Sequence, residues 1–266
     1  MKKIAFCFLI YEEINHEDIW NIFFNNIDKN KYNIYIHYKY NKPLKYFEQY
    51  KLKNCIDTKY AEISLPQAYN LLFKEAFEKD EENYKFCIIS NSCIPLKSFN
   101  HTYNKLVADD KAYFNICDSS QCYPNCNPLL DFYDKKYISK SHGWFVLNRT
   151  IVQKICIECN DELAKYYKDI YAPEEYFFYT KVKMLDLENH IITTNNVSCE
   201  ATTFTNWAGN DYINPCQFGL ANYSFISKYE LEYLVNSPCL FGRKFTKNCS
   251  CIYTYEFYLK MLNTVL

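Results

Sequence analysis

Lys3 to Ile10 reads KIAFCFLI, eight residues of which only the first is charged. A strand with one wet face alternates apolar and polar side chains. A run that is apolar at nearly every position is instead a strand covered on both faces, as in a parallel sheet between helical layers. Asn15-His16-Glu17-Asp18 then offers a cap and early acids ahead of Ile19, Trp20, Ile22, Phe23 and Phe24, so a helix is expected there. Tyr32 to Tyr38 alternates and is rich in β-formers, which predicts a second strand. Strand, helix, strand in that order is the repeating unit of an α/β protein.

The pattern recurs downstream. Ser64-Leu65-Pro66-Gln67 opens a helix whose Ala68, Leu71, Leu72, Ala76 and Phe77 fall at helical spacing, and the charged run Lys79 to Glu82 reads as a solvated turn. Phe86 to Ile89 is a buried strand running out at Ser90-Asn91-Ser92-Cys93, before Pro95 breaks it. Asp118 to Asn127 reads as a loop, Ser139 to Arg149 leads into a strand, and Ile151 to Ile170 has helical periodicity. In open α/β sheets ligands collect at the carboxyl ends of the strands, which marks Tyr11, His37 and Lys39 as candidates for a nucleotide pocket. His37 is equally readable as an ordinary core histidine.

A chain of 266 residues with only 4 Gly and 8 Pro, and with no linker, repeat or charge block, is expected to form one domain over residues 1–266. Its 30 basic and 31 acidic residues exclude broad binding to nucleic acid or an anionic membrane. The opening MKKIAFCFLIYEEIN has too short an apolar run for a signal peptide and passes straight into acids, and no stretch is long enough to span a membrane. A reducing cytoplasm and free thiols are therefore expected for the 14 cysteines. The pairs Cys122/Cys126, Cys156/Cys159 and Cys249/Cys251 lie far apart without matching histidines, so no metal site is expected from them. Asp109-Asp110 and Asp186-Leu187-Glu188 sit in loop-like surroundings, and no Asp-x-Asp motif ends a strand.

Tyr171 to Thr180, YAPEEYFFYT, places two adjacent carboxylates behind a proline. Proline suits a first helical turn and acids there are stabilised by the helix's positive end, so one carboxylate can cap while the other faces a cleft. Around it lie Gly143-Trp144-Phe145-Val146-Leu147-Asn148-Arg149, Thr202-Thr203-Phe204-Thr205-Asn206-Trp207 and Leu240-Phe241-Gly242-Arg243-Lys244-Phe245, with Ile4 to Leu9, Ile34 to His37 and Ser90 to Leu96 upstream. In that order these blocks resemble the core-2/I-branching family of glycosyltransferases with its plant and viral relatives, over nearly the whole chain.

The resemblance implies a GT-A-like, Rossmann-type sandwich with a mostly parallel central sheet flanked by helices. A nucleotide-binding half would cover about 1–115 and an acceptor and catalytic half about 116–266. It implies an inverting, metal-independent enzyme that moves a sugar, GlcNAc favoured, from a UDP-sugar to a hydroxyl of a glycan acceptor, with no cofactor. Glu175 takes the position of the catalytic base and Glu174 that of the cap. Lys244, helped by Arg243, takes the position that meets the diphosphate, with His37 and Tyr11 on the donor side. Trp144, Ser141, Asn91 and Trp207 fall in segments beside the acceptor; the tryptophans are also readable as core, and Arg243-Lys244 as a solvated pair. A second cation that animal members use further upstream has no clear counterpart here, and Lys228 stands only as a guess at it. The chain departs from the family at Tyr38-Lys39, where relatives often carry an acid, and in having no membrane anchor. The alternative is a catalytically degenerate nucleotide- or sugar-binding module of the same fold.

Overall fold

The computed structural model describes residues 1–195, 200–206, 220 and 222–251, with 250 and 251 described by their backbone alone. The chain runs β1 (Lys3–Ile10), α1 (Glu17–Phe23), β2 (Tyr32–Tyr38), α2 (Ser64–Lys79), β3 (Asn83–Ser90), β4 (Ile94–Pro95), α3 (Phe99–Val107), β5 (Ala112–Ile116) and β6 (Val146–Asn148). A short helix α4 (Arg149–Ile151) continues as a π-helical turn, Val152–Ile157, before α5 (Asn160–Tyr166) and α6 (Phe177–Met184). Then come β7 (Ile191–Asn195), β8 (Thr203–Thr205), β9 (Tyr223–Ile226), α7 (Lys228–Asn236), β10 (Phe241–Arg243) and β11 (Phe245–Cys251).

Six strands form the central sheet in the order β2-β1-β3-β6-β5-β7. β1 runs parallel to β2 and β3, β5 runs parallel to β7, and only β6 is antiparallel to its neighbours. The apolar β1 is thus a strand of a mostly parallel sheet, and the whole is the Rossmann-type α/β sandwich that the resemblance implied. Alternate residues of β1 feed opposite layers. Ala5 and Cys7 pack with Leu72, Phe73 and Phe178 from α2 and α6, whereas Phe6 and Phe8 pack with Trp20, Phe23 and Phe99 from α1 and α3. Phe6 and Phe8 have no exposed surface, and each contributes about 1.5–3 kcal/mol by burial. A small second sheet, β4-β10-β8, closes one end, and β10 brings Phe241 against Phe6 and Trp20.

Three local expectations are corrected. Asn15 does not cap α1: its Nδ2 donates to the carbonyl of Phe245, and the capping position is His16, whose side chain makes no cap bond. Glu17 turns away to accept the backbone N–H groups of Lys45, Tyr46 and Phe47, pinning the loop after β2. In the charged turn, Asp80 is not merely solvated, because it accepts from Lys3 at 2.7 Å and Asn33 at 2.9 Å and so ties β1 to β2. The helical run Ile151 to Ile170 is broken at Cys159, where Asn160 begins α5 and its Oδ1 accepts from Asn70 of α2. The cysteines whose side chains are described, from Cys7 to Cys249, are free thiols. Among the described residues, no helix is long and apolar enough to cross a membrane.

Candidate active site

A cavity of about 670 Å³ opens where β1 and β3 end. It is lined by Ile10 and Tyr11 at the end of β1, and by Ser90, Asn91 and Ser92 at the end of β3. One wall is the segment that carries Glu174 and Glu175, and another is the end of β10 with Arg243 and Lys244. The parallel sheet explains the gathering, since strand ends leave loop backbone and short polar side chains free to face a ligand.

The acid wall is built locally. Pro173–Glu175 makes one 3-10 turn, entered through Ala172 in the left-handed region at φ 52°, whose N–H donates to Ala61. Ser141 N–H donates to the Glu175 carbonyl at 2.8 Å, and Lys140 Nζ sits 3.1 Å from Glu175 Oε2. Burial works against the charge on Lys140, but the Glu175 carboxylate outweighs it and raises the lysine's pKa. Glu174 is placed differently. The turn's N-cap position is Ala172 and has no side-chain cap bond, Glu174 Oε2 is buried without a partner among the described residues, and a Cβ on Gly143 would come within 3.3 Å of its Cγ. Burial pushes its carboxyl up to about 7, its own N–H opposes that, and the charge of Glu175 adds to it. The capping role expected for Glu174 is therefore corrected to that of a cavity group.

The cationic wall is held by packing. Arg243 lies with its guanidinium carbon 3.7 Å from the centre of the Trp144 ring, a cation–π contact on a nearly buried side chain. Burial lowers its pKa from the usual arginine range, and Cys93 and Tyr69 oppose that. Lys244 is lowered by burial first and by the Arg243 charge second. The backbone is fixed on either side: Tyr223 N–H donates to the Lys244 carbonyl at 2.7 Å, and Phe245 N–H to Ser92 at 2.8 Å.

Of the residues singled out in the sequence, Glu175, Lys244, Arg243, Tyr11, Trp144 and Asn91 share this one cavity. His37 does not reach it. The imidazole is fully buried, its Nε2 accepts the N–H of Ile56, and desolvation lowers it to about 4, so it fastens the loop that follows β2. Ser141 is also fully buried, contributing its backbone N–H to Glu175 rather than a hydroxyl to the cavity. Lys39 donates to the Thr58 carbonyl at 2.7 Å, and Lys228 pairs with Glu232 along α7 at 3.6 Å; neither lines the cavity. Trp207 lies outside the described residues.

Sequence reasoning missed Lys140, whose partner is distant in the chain, and it missed Tyr60 and Tyr171, which stand exposed at the cavity's edge. The only available signal for Lys140 was its place just before Ser141 and His142.

A mostly parallel sheet with a cavity at its strand ends, into which both acidic and basic side chains open, defines an α/β protein of the open-sheet kind. The model of the Core-2/I-Branching enzyme family matches residues 4–235, and the chain belongs to that family. It is 23% identical over 176 residues to the glycosyltransferase BC10 of Oryza sativa subsp. japonica, an alignment covering 62% of this chain and 43% of the rice protein. The chain thus spans less than half the length of that curated relative. A solved galactosyltransferase, LgtC in complex with donor and acceptor sugar analogs, aligns with a TM-score of 0.47 at 9% identity, over 98% of this chain and 95% of that one.

Proposed function

We propose that the chain is a GT-A-type glycosyltransferase that moves a sugar, GlcNAc first, from a UDP-sugar to a hydroxyl of a glycan, inverting the anomeric centre. One observation carries the reading: Glu175 and Lys244, distant in sequence, open onto the same cavity. Glu175 accepts the proton of the acceptor hydroxyl as its oxygen bonds to the anomeric carbon. The bond from that carbon to the diphosphate breaks in line, and the departing oxygen takes the electron pair. Lys244 and Arg243 stabilise the charge that grows there, the part a divalent ion plays in other transferases. Trp144 holds Arg243 by its face, and Asn91 offers amide donors and an acceptor to sugar hydroxyls.

The test is nucleotide release from a panel of UDP-sugars, with and without glycan acceptors, in excess EDTA. Sustained release that rises with an acceptor is the expected result. Binding of nucleotide sugars with no release under any condition would instead establish the non-catalytic binding module. Release that EDTA abolishes would remove the fixed-cation part of the proposal.

A further inference from the structure

Glu174 is the group the mechanism above leaves without work. It lines the cavity beside Glu175, yet among the described residues no cation pairs with it, and its Oε2 is buried with no donor in reach. The one ammonium on this wall, Lys140, is engaged by Glu175. A buried carboxylate with neither a cation nor a full set of donors is costly, and taking up a proton is the cheapest relief.

We infer that Glu174 enters the donor complex as a neutral carboxylic acid, and that this proton sets the charge of the cavity to match a nucleoside diphosphate. The inference rests on the cavity being a donor site. With Glu174 neutral, the inner described groups are Lys140, Arg243 and Lys244 against Glu175 alone. Three cations and one carboxylate leave two positive charges, the complement of the two negative charges on a nucleotide-sugar diphosphate. The two other lining lysines are paired, Lys59 lying 3.8 Å from Glu62 and Lys247 2.6 Å from Glu13, and His142, which also lines the cavity, is shared by both proteins compared below.

The groups that face Glu174 electrostatically are Glu175, Lys140, Arg243, Tyr69 and Tyr60. Of these, Tyr69 is pushed up by burial, so it stays neutral in the same range. Glu174 itself is pushed up to about 7 by burial, which places its ionisation within the range where the enzyme is assayed. Losing the proton adds a negative charge to the cavity and weakens the hold on the diphosphate. Gly143 leaves room for Glu174: a Cβ there would lie 3.3 Å from its Cγ, while the Tyr69 hydroxyl, at 3.7 Å, would be in ordinary contact.

The experiment is calorimetric titration of the full chain with UDP in excess EDTA, at about pH 6 and about pH 8.5, comparing wild type with Glu174→Gln. Titration of UDP itself and of Lys244 is common to both proteins and cancels in the comparison. Wild-type affinity is expected to fall about tenfold more than that of the variant, the effect of one added charge across a partly screened cavity. Parallel pH dependences in the two proteins would overturn the inference and leave the donor-site reading standing. Absence of UDP binding at both pH values would sink the donor-site reading and the inference together. A second measurement guards against a misfolded variant: the infrared carbonyl band of a protonated carboxyl, present in wild type at about pH 6 and missing in Glu174→Gln. A wild type without that band overturns the inference outright.

Discussion

Exchanging Glu174 for glutamine removes a titrating group while keeping its shape, and the stability of the two proteins should then diverge with pH. The Glu174 carboxyl is raised from 4.5 to about 7 in the folded chain by burial, reinforced by Glu175. The folded-state value lies above the unfolded one, so between the two the native chain holds a proton that the unfolded chain has released. The stabilisation is complete below the unfolded value and is lost as pH rises through the folded one. Between the two values each pH step of one changes the stability by about 1.36 kcal/mol, so from about pH 5 to about pH 8 wild type should lose about 2.5 kcal/mol that the glutamine variant keeps. For a chain of this size that corresponds to a divergence of roughly 5 to 10 °C in Tm. Urea unfolding of both proteins across the range measures it, and subtraction cancels every group they share. Two stability curves that run parallel would refute the argument, because Glu174 would then titrate alike in folded and unfolded chains.

The remaining predictions concern the walls of the cavity. Lys140→Met removes the ammonium 3.1 Å from Glu175 and one positive charge from the cavity, so it should lower kcat and also raise donor KM, about tenfold in kcat/KM or more, with Lys140→Arg restoring part of it; steady-state nucleotide release checks both. Trp144→Ala takes away the ring face 3.7 Å from the Arg243 guanidinium, a contact worth about 1 kcal/mol, and should raise donor KM about fivefold before it affects kcat. Gly242→Val forces a branched side chain onto Leu96, whose Cδ1 would lie 3.2 Å from the new Cβ; a loss of about 1–3 kcal/mol by denaturant unfolding is expected.

Much of the sheet was legible because its signal is local. KIAFCFLI is apolar after its first residue since β1 lies between β2 and β3 with helices on both faces, and the bounds Lys3–Ile10 and Tyr32–Tyr38 could be read directly from pattern. β6 was blurred: three residues inserted antiparallel between β3 and β5 leave no periodicity to find. His37 shows the limit of strand-end reasoning. Its position near the end of β2 suggested the cavity, but the segment around Lys51 to Ile56 folds over it, Leu52 N–H donating to Ile36 and Ile56 N–H to the imidazole. No pattern within β2 announces a covering loop. The acid wall was half legible for the same reason. Proline followed by two acids marked the place, whereas which acid meets a cation and which is left dry depends on Lys140 and Gly143 arriving from another part of the chain.

The most direct measurement is the rate of nucleotide release by Glu175→Gln with a turned-over UDP-sugar and its acceptor in excess EDTA, alongside UDP binding by the same variant. The account predicts a fall of about a thousandfold or more in kcat with UDP affinity kept or raised, because the acid acts on the acceptor while the cations hold the donor. A variant that turns over at the wild-type rate, or one that loses UDP binding as fast as it loses turnover, would contradict the division of labour between the two walls.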